Sequence, residues 1–144
     1  MHPALPYHRL DDPPHRTSGI EARLDRVRAL CMALPEAFEK LAWSEATFRA
    51  GEKGKMFATF ATYHHDDRVS VWLKAAEGAQ AILVAANPAR FFVPPYQGPA
   101  GWVGVYLDAD EPHWDALATL IEDAYRLVAP KKLLTTLEAR RSSR

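Results

Sequence analysis

Only one cysteine, Cys31, occurs in the 144 residues, so the chain cannot close a disulfide on itself. Nothing else in the sequence suggests export, and a reducing cytoplasm is the expected compartment. Long apolar runs are missing too. No segment approaches the roughly 18 consecutive apolar residues of a membrane span. The opening MHPALPYHRLDDPPHRTSG lacks the apolar centre of a secretory signal, so no membrane partner is expected. An excess of charge is also absent: 18 Lys and Arg balance 18 Asp and Glu. That argues against strong nonspecific affinity for nucleic acid, which grows with the number of phosphates neutralised.

Motifs that announce chemistry are scarce. In GEKGK, Gly54-Lys55 is followed by Met56, and Arg49 stands where a nucleotide-binding loop has its first glycine. A strand rather than a helix is expected next, so this is no phosphate cradle. The bare G-x-x-G of Gly51–Gly54 also occurs in KH domains, but there it joins helices. A hairpin turn is preferred, its tip carrying Lys53 and Lys55 within reach of a backbone phosphate. His64-His65-Asp66-Asp67 places four metal-binding side chains in a row, yet neighbours on a strand point to opposite faces. It is read as a solvated turn. His2, His8 and His15 have no ligand partner at useful spacing. Asp108, Asp110, Glu111, Asp115, Glu122 and Asp123 are read as a solvated acidic face that would repel DNA. No metal and no cofactor are expected.

What is present is the composition of a soluble globular protein, 48% apolar and 25% charged, and of one-domain length. Residues 1–18 read as a loose arm, 19–139 as the folded domain and 140–144 as a frayed basic tail. Ser18-Gly-Ile-Glu21 has the form of a capping box. Ile20, Leu24, Val27, Leu30, Cys31 and Leu34 then recur at helical spacing, and Pro35 stops the helix. On that stripe Cys31 is a small core side chain rather than a nucleophile.

A β-rich region follows: Thr47–Ala50, Met56–Tyr63 and Arg68–Lys74. In the last, Val69, Val71 and Leu73 alternate with Ser70, Trp72 and Lys74, which predicts one packed face and one partly open face. Ala76–Ala86 returns to helical spacing with Ala79, Ile82, Leu83 and Ala86 inward. Trp102–Leu107 alternates as a strand. A helix over Glu111–Val128 carries Trp114, Leu117, Ala118, Ile121, Tyr125 and Val128, and a short helix covers Lys131–Ala139. This order predicts an α+β fold with an antiparallel sheet covered by helices in two layers. From Arg126 onward six Lys and Arg face Glu138 alone, a local +5 set against −5 over residues 1–125. Such an end either solubilises or seeks an anion.

Between these elements runs RFFVPPYQGPAGWVGVYLD, Arg90–Asp108. Pro94-Pro95 forces extended backbone with two amide donors missing. Phe91, Phe92, Tyr96 and Trp102 supply apolar area, and Arg90 and Tyr96 are its polar handles. The stretch reads as a rigid aromatic corner that can also wall a cleft. Together with CMALPE (31–36), ATFR (46–49), VSVWLK (69–74) and YRLVA (125–129), it resembles the MmcQ/YjbR family of small bacterial proteins. The resemblance covers residues 20–134.

It implies an α+β fold like that of a secretion chaperone or a "double-wing" DNA-binding domain, and it supplies no established catalytic residue to carry over. On that likeness members are widely labelled DNA-binding. Carried onto this sequence, the candidate surface is Arg49, Lys55, Trp72, Lys74, Arg90 and Tyr96, joined by Lys53 of the wing and by Lys131 and Lys132. A non-enzymatic, nucleic-acid-binding domain is the leading expectation. A protein- or peptide-binding module is the alternative. An enzyme is a third, requiring Arg90, Tyr96 and His64 or His65 to converge on one pocket.

Overall fold

The computed structural model describes residues 14–62, 68–108 and 113–143, the first five of these by backbone alone. The elements run α1 (Pro14–Met32), β1 (Ala37–Ala42), β2 (Glu45–Ala50), β3 (Met56–Thr62), β4 (Val69–Leu73), α2 (Ala79–Ala86), β5 (Phe91–Phe92), β6 (Val103–Tyr106), α3 (Trp114–Val128) and α4 (Lys131–Ser142). Among the described residues a six-stranded sheet has the order β1-β2-β3-β4-β6-β5, every neighbour antiparallel. The fold is α+β, as the alternation of helical and strand spacing predicts.

Helices cover one face. Ile20, Leu24, Val27 and Cys31 of α1, Leu117, Ile121, Ala124 and Tyr125 of α3, and Leu133 and Leu137 of α4 are buried in the main core. From the sheet, Phe48, Phe57, Phe60, Val71, Leu73 and Val105 meet them. The Tyr125 hydroxyl donates to the Pro35 carbonyl at 2.7 Å, so the chain leaving α1 is tied to α3. Cys31 is wholly buried, and that burial, with the charge of Glu39, pushes its thiol far above the ordinary range. It is a packing residue.

Several expectations change. Helix α1 begins at Pro14, a turn before Ser18, so the Ser18–Glu21 capping box lies inside it. Proline suits a first helical turn because its missing N–H would be unpaired there anyway. Strand β1 was not expected; it pairs with β2 from Ala37↔Ala50 to Ala42↔Glu45. Its outer edge is unpaired among the described residues, and its sequence AFEKLA shows no alternation of apolar and polar residues. In α2 the packed side is Leu83 and Val84, while Ile82 and Ala86 are exposed. Helix α4 runs on through Ser142, and Arg140 donates to the Ala33 carbonyl, so Arg140 and Arg141 belong to a helix rather than to a frayed tail.

The other sheet face is closed more than the alternation suggested: Ser70 and Trp72 are both buried. Trp72 joins Ala61 and Trp102 in a second, smaller apolar cluster, with Met56 and Phe92 against it. The cover is the corner between β5 and β6, which folds over this face. The expected turn at His64–Asp67 and the helix start at Asp110–Pro112 fall outside the described residues. No helix among the described residues is long and apolar enough to cross a membrane.

Candidate functional site

A cavity of about 420 Å³ opens on the sheet face opposite the helices, within the size range of small-ligand sites. Its lining comes from three places: Trp43 and Glu45 at the β1–β2 turn, Thr59, Ala61 and Trp72 on the sheet, and Tyr96 and Gln97 in the corner loop. The β1–β2 connection is a two-residue turn, Trp43-Ser44, with φ of 52° and 64°. Two positive φ values define the hairpin turn that normally calls for Asn-Gly. Non-glycine residues held there cost on the order of 1–3 kcal/mol each, a strain that concentrates at functional sites. The turn holds Trp43 in solvent at the mouth, 71% exposed. Across the mouth Tyr96, also left-handed at φ 67°, is 83% exposed.

Glu45 follows that turn directly and is 4% exposed. Its Oε2 accepts the Thr62 N–H at 3.0 Å. Burial pushes its pKa up to about 8, and the Thr62 N–H pulls it back only in part. At neutral pH the floor of the pocket therefore holds a neutral carboxylic acid, able both to donate and to accept. Trp72 is 4% exposed and its indole N–H donates to the Ser70 Oγ at 3.1 Å, so it offers the pocket an apolar wall. The corner loop is tied down from α2, where the Gln80 side chain donates to the carbonyls of Gly98 and Trp102 at 3.0 and 2.5 Å. Gln97 in that loop has a buried Oε1 with no hydrogen-bond partner among the described residues.

The residues expected at a binding surface are divided by the fold. Trp72 and Tyr96 meet at the pocket, and Arg49 lies on the same face of β2 as Glu45 and Thr47. Burial removes the Trp72 ring from any open stacking surface. Lys53 and Lys55 are exposed at the tip of the β2–β3 hairpin, closed by Ala50 N–H to Lys55 O at 3.0 Å and Gly54 N–H to Gly51 O at 2.9 Å. GEKGK is a wing, as its spacing predicts.

Lys74 instead lines a second cavity of about 290 Å³ between α2 and α3, with Asp123 and Arg126. Lys131 and Lys132 open α4, whose buried leucines place it in the helical layer. Arg90 does not line the pocket. Its Nε and Nη2 are buried without a partner among the described residues, its guanidinium lies 5.1 Å from the Phe91 ring, and burial lowers its pKa. The convergence an enzyme would need is not formed among the described residues: Tyr96 reaches the pocket, Arg90 does not, and His64 and His65 lie outside them.

Opposite charges elsewhere pair with each other. Arg68 holds Asp108 through two bonds of 2.8 and 2.9 Å; burial would raise that carboxyl, but the guanidinium keeps it below its ordinary value. Arg126 bridges Glu122 at 3.0 Å and Glu138 at 2.6 Å, and Arg141 also reaches Glu122. The basic C-terminal end is thus partly neutralised by the acids of α3 and α4. Among the described residues no three acidic, histidine or cysteine side chains gather as a metal site.

Trp43, Glu45, Thr59 and Gln97 are not singled out by the sequence. Trp43 lies in the turn and Glu45 directly follows it, the strand before that turn has no sequence signal of its own, and no motif marks either residue.

The YjbR family model matches residues 32–127, two-thirds of the chain, and the chain belongs to that family. The fold is shared with a solved structure, protein DR2400 of Deinococcus radiodurans, which carries a DUF419 domain. The TM-score is 0.61 and the identity 24%, over 72% of this chain and 76% of that one. No curated protein matches the chain.

Proposed function

We propose that this chain is a non-enzymatic binding domain whose ligand enters the pocket between Trp43, Trp72 and Tyr96, and that the ligand is single-stranded nucleic acid. The observation that supports it is the aromatic-rimmed pocket on the sheet face, with the Lys53–Lys55 wing at the far end of β2. Unpaired bases stack on exposed aromatic rings, and flanking lysines meet the backbone. Duplex DNA keeps its bases stacked inside and has no ring to offer such a pocket. A cytoplasmic setting belongs to the same proposal and rests on the single, buried cysteine.

A peptide is the second reading. It is favoured by the exposed Trp43 and Tyr96 at the rim and the exposed Val93 in the corner loop, which give apolar area that an aromatic side chain would also fit.

The test is fluorescence anisotropy with labelled single- and double-stranded DNA at low and near-physiological salt. Micromolar binding of the single strand, weaker for the duplex, is expected. Lys53→Glu/Lys55→Glu should weaken it and lower the salt slope by about 0.7 for each phosphate that is no longer neutralised. No binding of either form at low salt would overturn the nucleic-acid reading and leave the peptide.

A further inference from the structure

The interior of the pocket offers a ligand carbon rather than hydrogen bonds. The Thr59 hydroxyl donates to the Met56 sulfur at 3.5 Å, the Trp72 indole N–H is given to Ser70, and Glu45 Oε2 takes the Thr62 N–H. Glu45 Oε1 and Gln97 Oε1 are buried away from the cavity surface. Strand β3 is paired on both sides, so the backbone of Thr59 and Ala61 is engaged within the sheet. What remains toward the cavity is mostly carbon, from Trp43, Trp72 and Tyr96 and from the side chains of Thr59 and Ala61. No lysine or arginine among the described residues lines it, and Glu45 is uncharged at pH 7. A ligand that enters such a space loses water and gains no hydrogen bond from its floor, so every polar atom it buries costs free energy, while its apolar area is stabilised. A quaternary ammonium also needs no hydrogen bond, but the acid beside the cavity carries no charge to offset its desolvation.

We infer that the pocket is a small-molecule site for an uncharged, planar, largely apolar aromatic compound, held between Trp43, Trp72 and Tyr96. The cavity, about 420 Å³, has room for a small fused-ring system, and aromatic walls favour a flat ring over a saturated one of the same size. The inference goes beyond the nucleic-acid reading and does not depend on it. A nucleobase stacked at the rim keeps its polar edge in water; the interior would leave that edge unanswered, and so takes a ring without one.

The experiment is an NMR titration of the full chain, labelled with ¹⁵N, with indole. The side-chain N–H signals of Trp43 and Trp72 should shift, and that of Trp114, on α3, should not. Purine has the same bicyclic shape with a polar edge and should bind about ten-fold more weakly or worse. Benzyl alcohol should bind about two- to ten-fold more tightly than cyclohexylmethanol, which lacks the flat ring. Ala61→Leu should abolish binding by filling the cavity, and Trp43→Ala, at an exposed turn, should weaken it; thermal melts confirm that each variant is folded. Unmoved Trp43 and Trp72 signals up to the solubility of indole would overturn the inference. So would purine bound as tightly as indole, cyclohexylmethanol bound as tightly as benzyl alcohol, or choline bound more tightly than either ring. N-acetyltryptophanamide bound more tightly than indole would also overturn it, in favour of a ring carried on a peptide. Oligothymidylate anisotropy on the same protein separates this from the nucleic-acid reading. Indole bound without the oligonucleotide supports the inference and overturns that reading, and the oligonucleotide bound without indole does the reverse.

Discussion

Glu45 shows how far one side chain's surroundings can move its chemistry. Its carboxyl is buried beside Trp72 and Thr59 with the Thr62 N–H to hold it, and it keeps its proton to about pH 8. In the unfolded chain the same group ionises near 4.5. Between those values the native state holds a proton that the unfolded state has released. Stability from this group is therefore complete below about pH 4.5, falls as pH rises, and is gone once pH passes 8. The slope is at most about 1.4 kcal/mol per pH unit.

Glu45→Gln keeps a neutral, hydrogen-bonding side chain and should flatten that slope. Urea unfolding of both proteins from pH 5 to 8.5 checks it, with the difference between them isolating the contribution of Glu45. Equal slopes would show that the carboxyl is already ionised in the folded protein. Such a residue is hard to find in sequence, because a buried acid and a solvated one are the same letter. Cys31 and Tyr125, by contrast, sit on apolar stripes whose spacing announces burial.

At the scale of elements, the corner loop closes the second sheet face because β6 leaves room for it. Phe92 stacks on Tyr106 with ring centres 4.4 Å apart and lies over Gly104, where an added Cβ would collide with the Phe92 ring. Gly104→Ala should displace Phe92 and cost about 1–3 kcal/mol by overpacking. A lowered urea midpoint, with increased quenching of tryptophan fluorescence as Trp102 is exposed, would show it; an unchanged midpoint would place Phe92 elsewhere.

Most of the elements are legible in the sequence. The strict spacing of α1 and α3, the alternation of β4 and the turn residues of the β2–β3 wing each follow from local rules. Strand β1 is not legible, because AFEKLA has an ion pair on one side and an exposed edge on the other: Glu39 is held by Arg28 of α1 at 2.7 Å. Nor is the cover on Trp72, which depends on a corner loop well downstream in the chain folding back across the sheet. Local patterns predict which residues share a face, but not what lies against that face.

The whole molecule has two different sides. The helices and the main core occupy one, and the pocket, its aromatic rim and Arg49 occupy the other. The candidate lysines are divided between places, with Lys131 and Lys132 on the helical side and Lys53 and Lys55 on the wing. Net charge is zero, so affinity has to come from a local site rather than from a field over the surface. The most direct test compares the two sides in one assay. Oligothymidylate binding is measured by anisotropy for the parent protein, for Trp43→Ala/Tyr96→Ala and for Lys131→Glu/Lys132→Glu. Removing two stacking partners, each worth about 1–3 kcal/mol, should weaken binding at least ten-fold in the first variant. The second should bind like the parent. The reverse pattern, with the rim variant unaffected and the α4 variant impaired, would contradict the assignment of the pocket as the binding site.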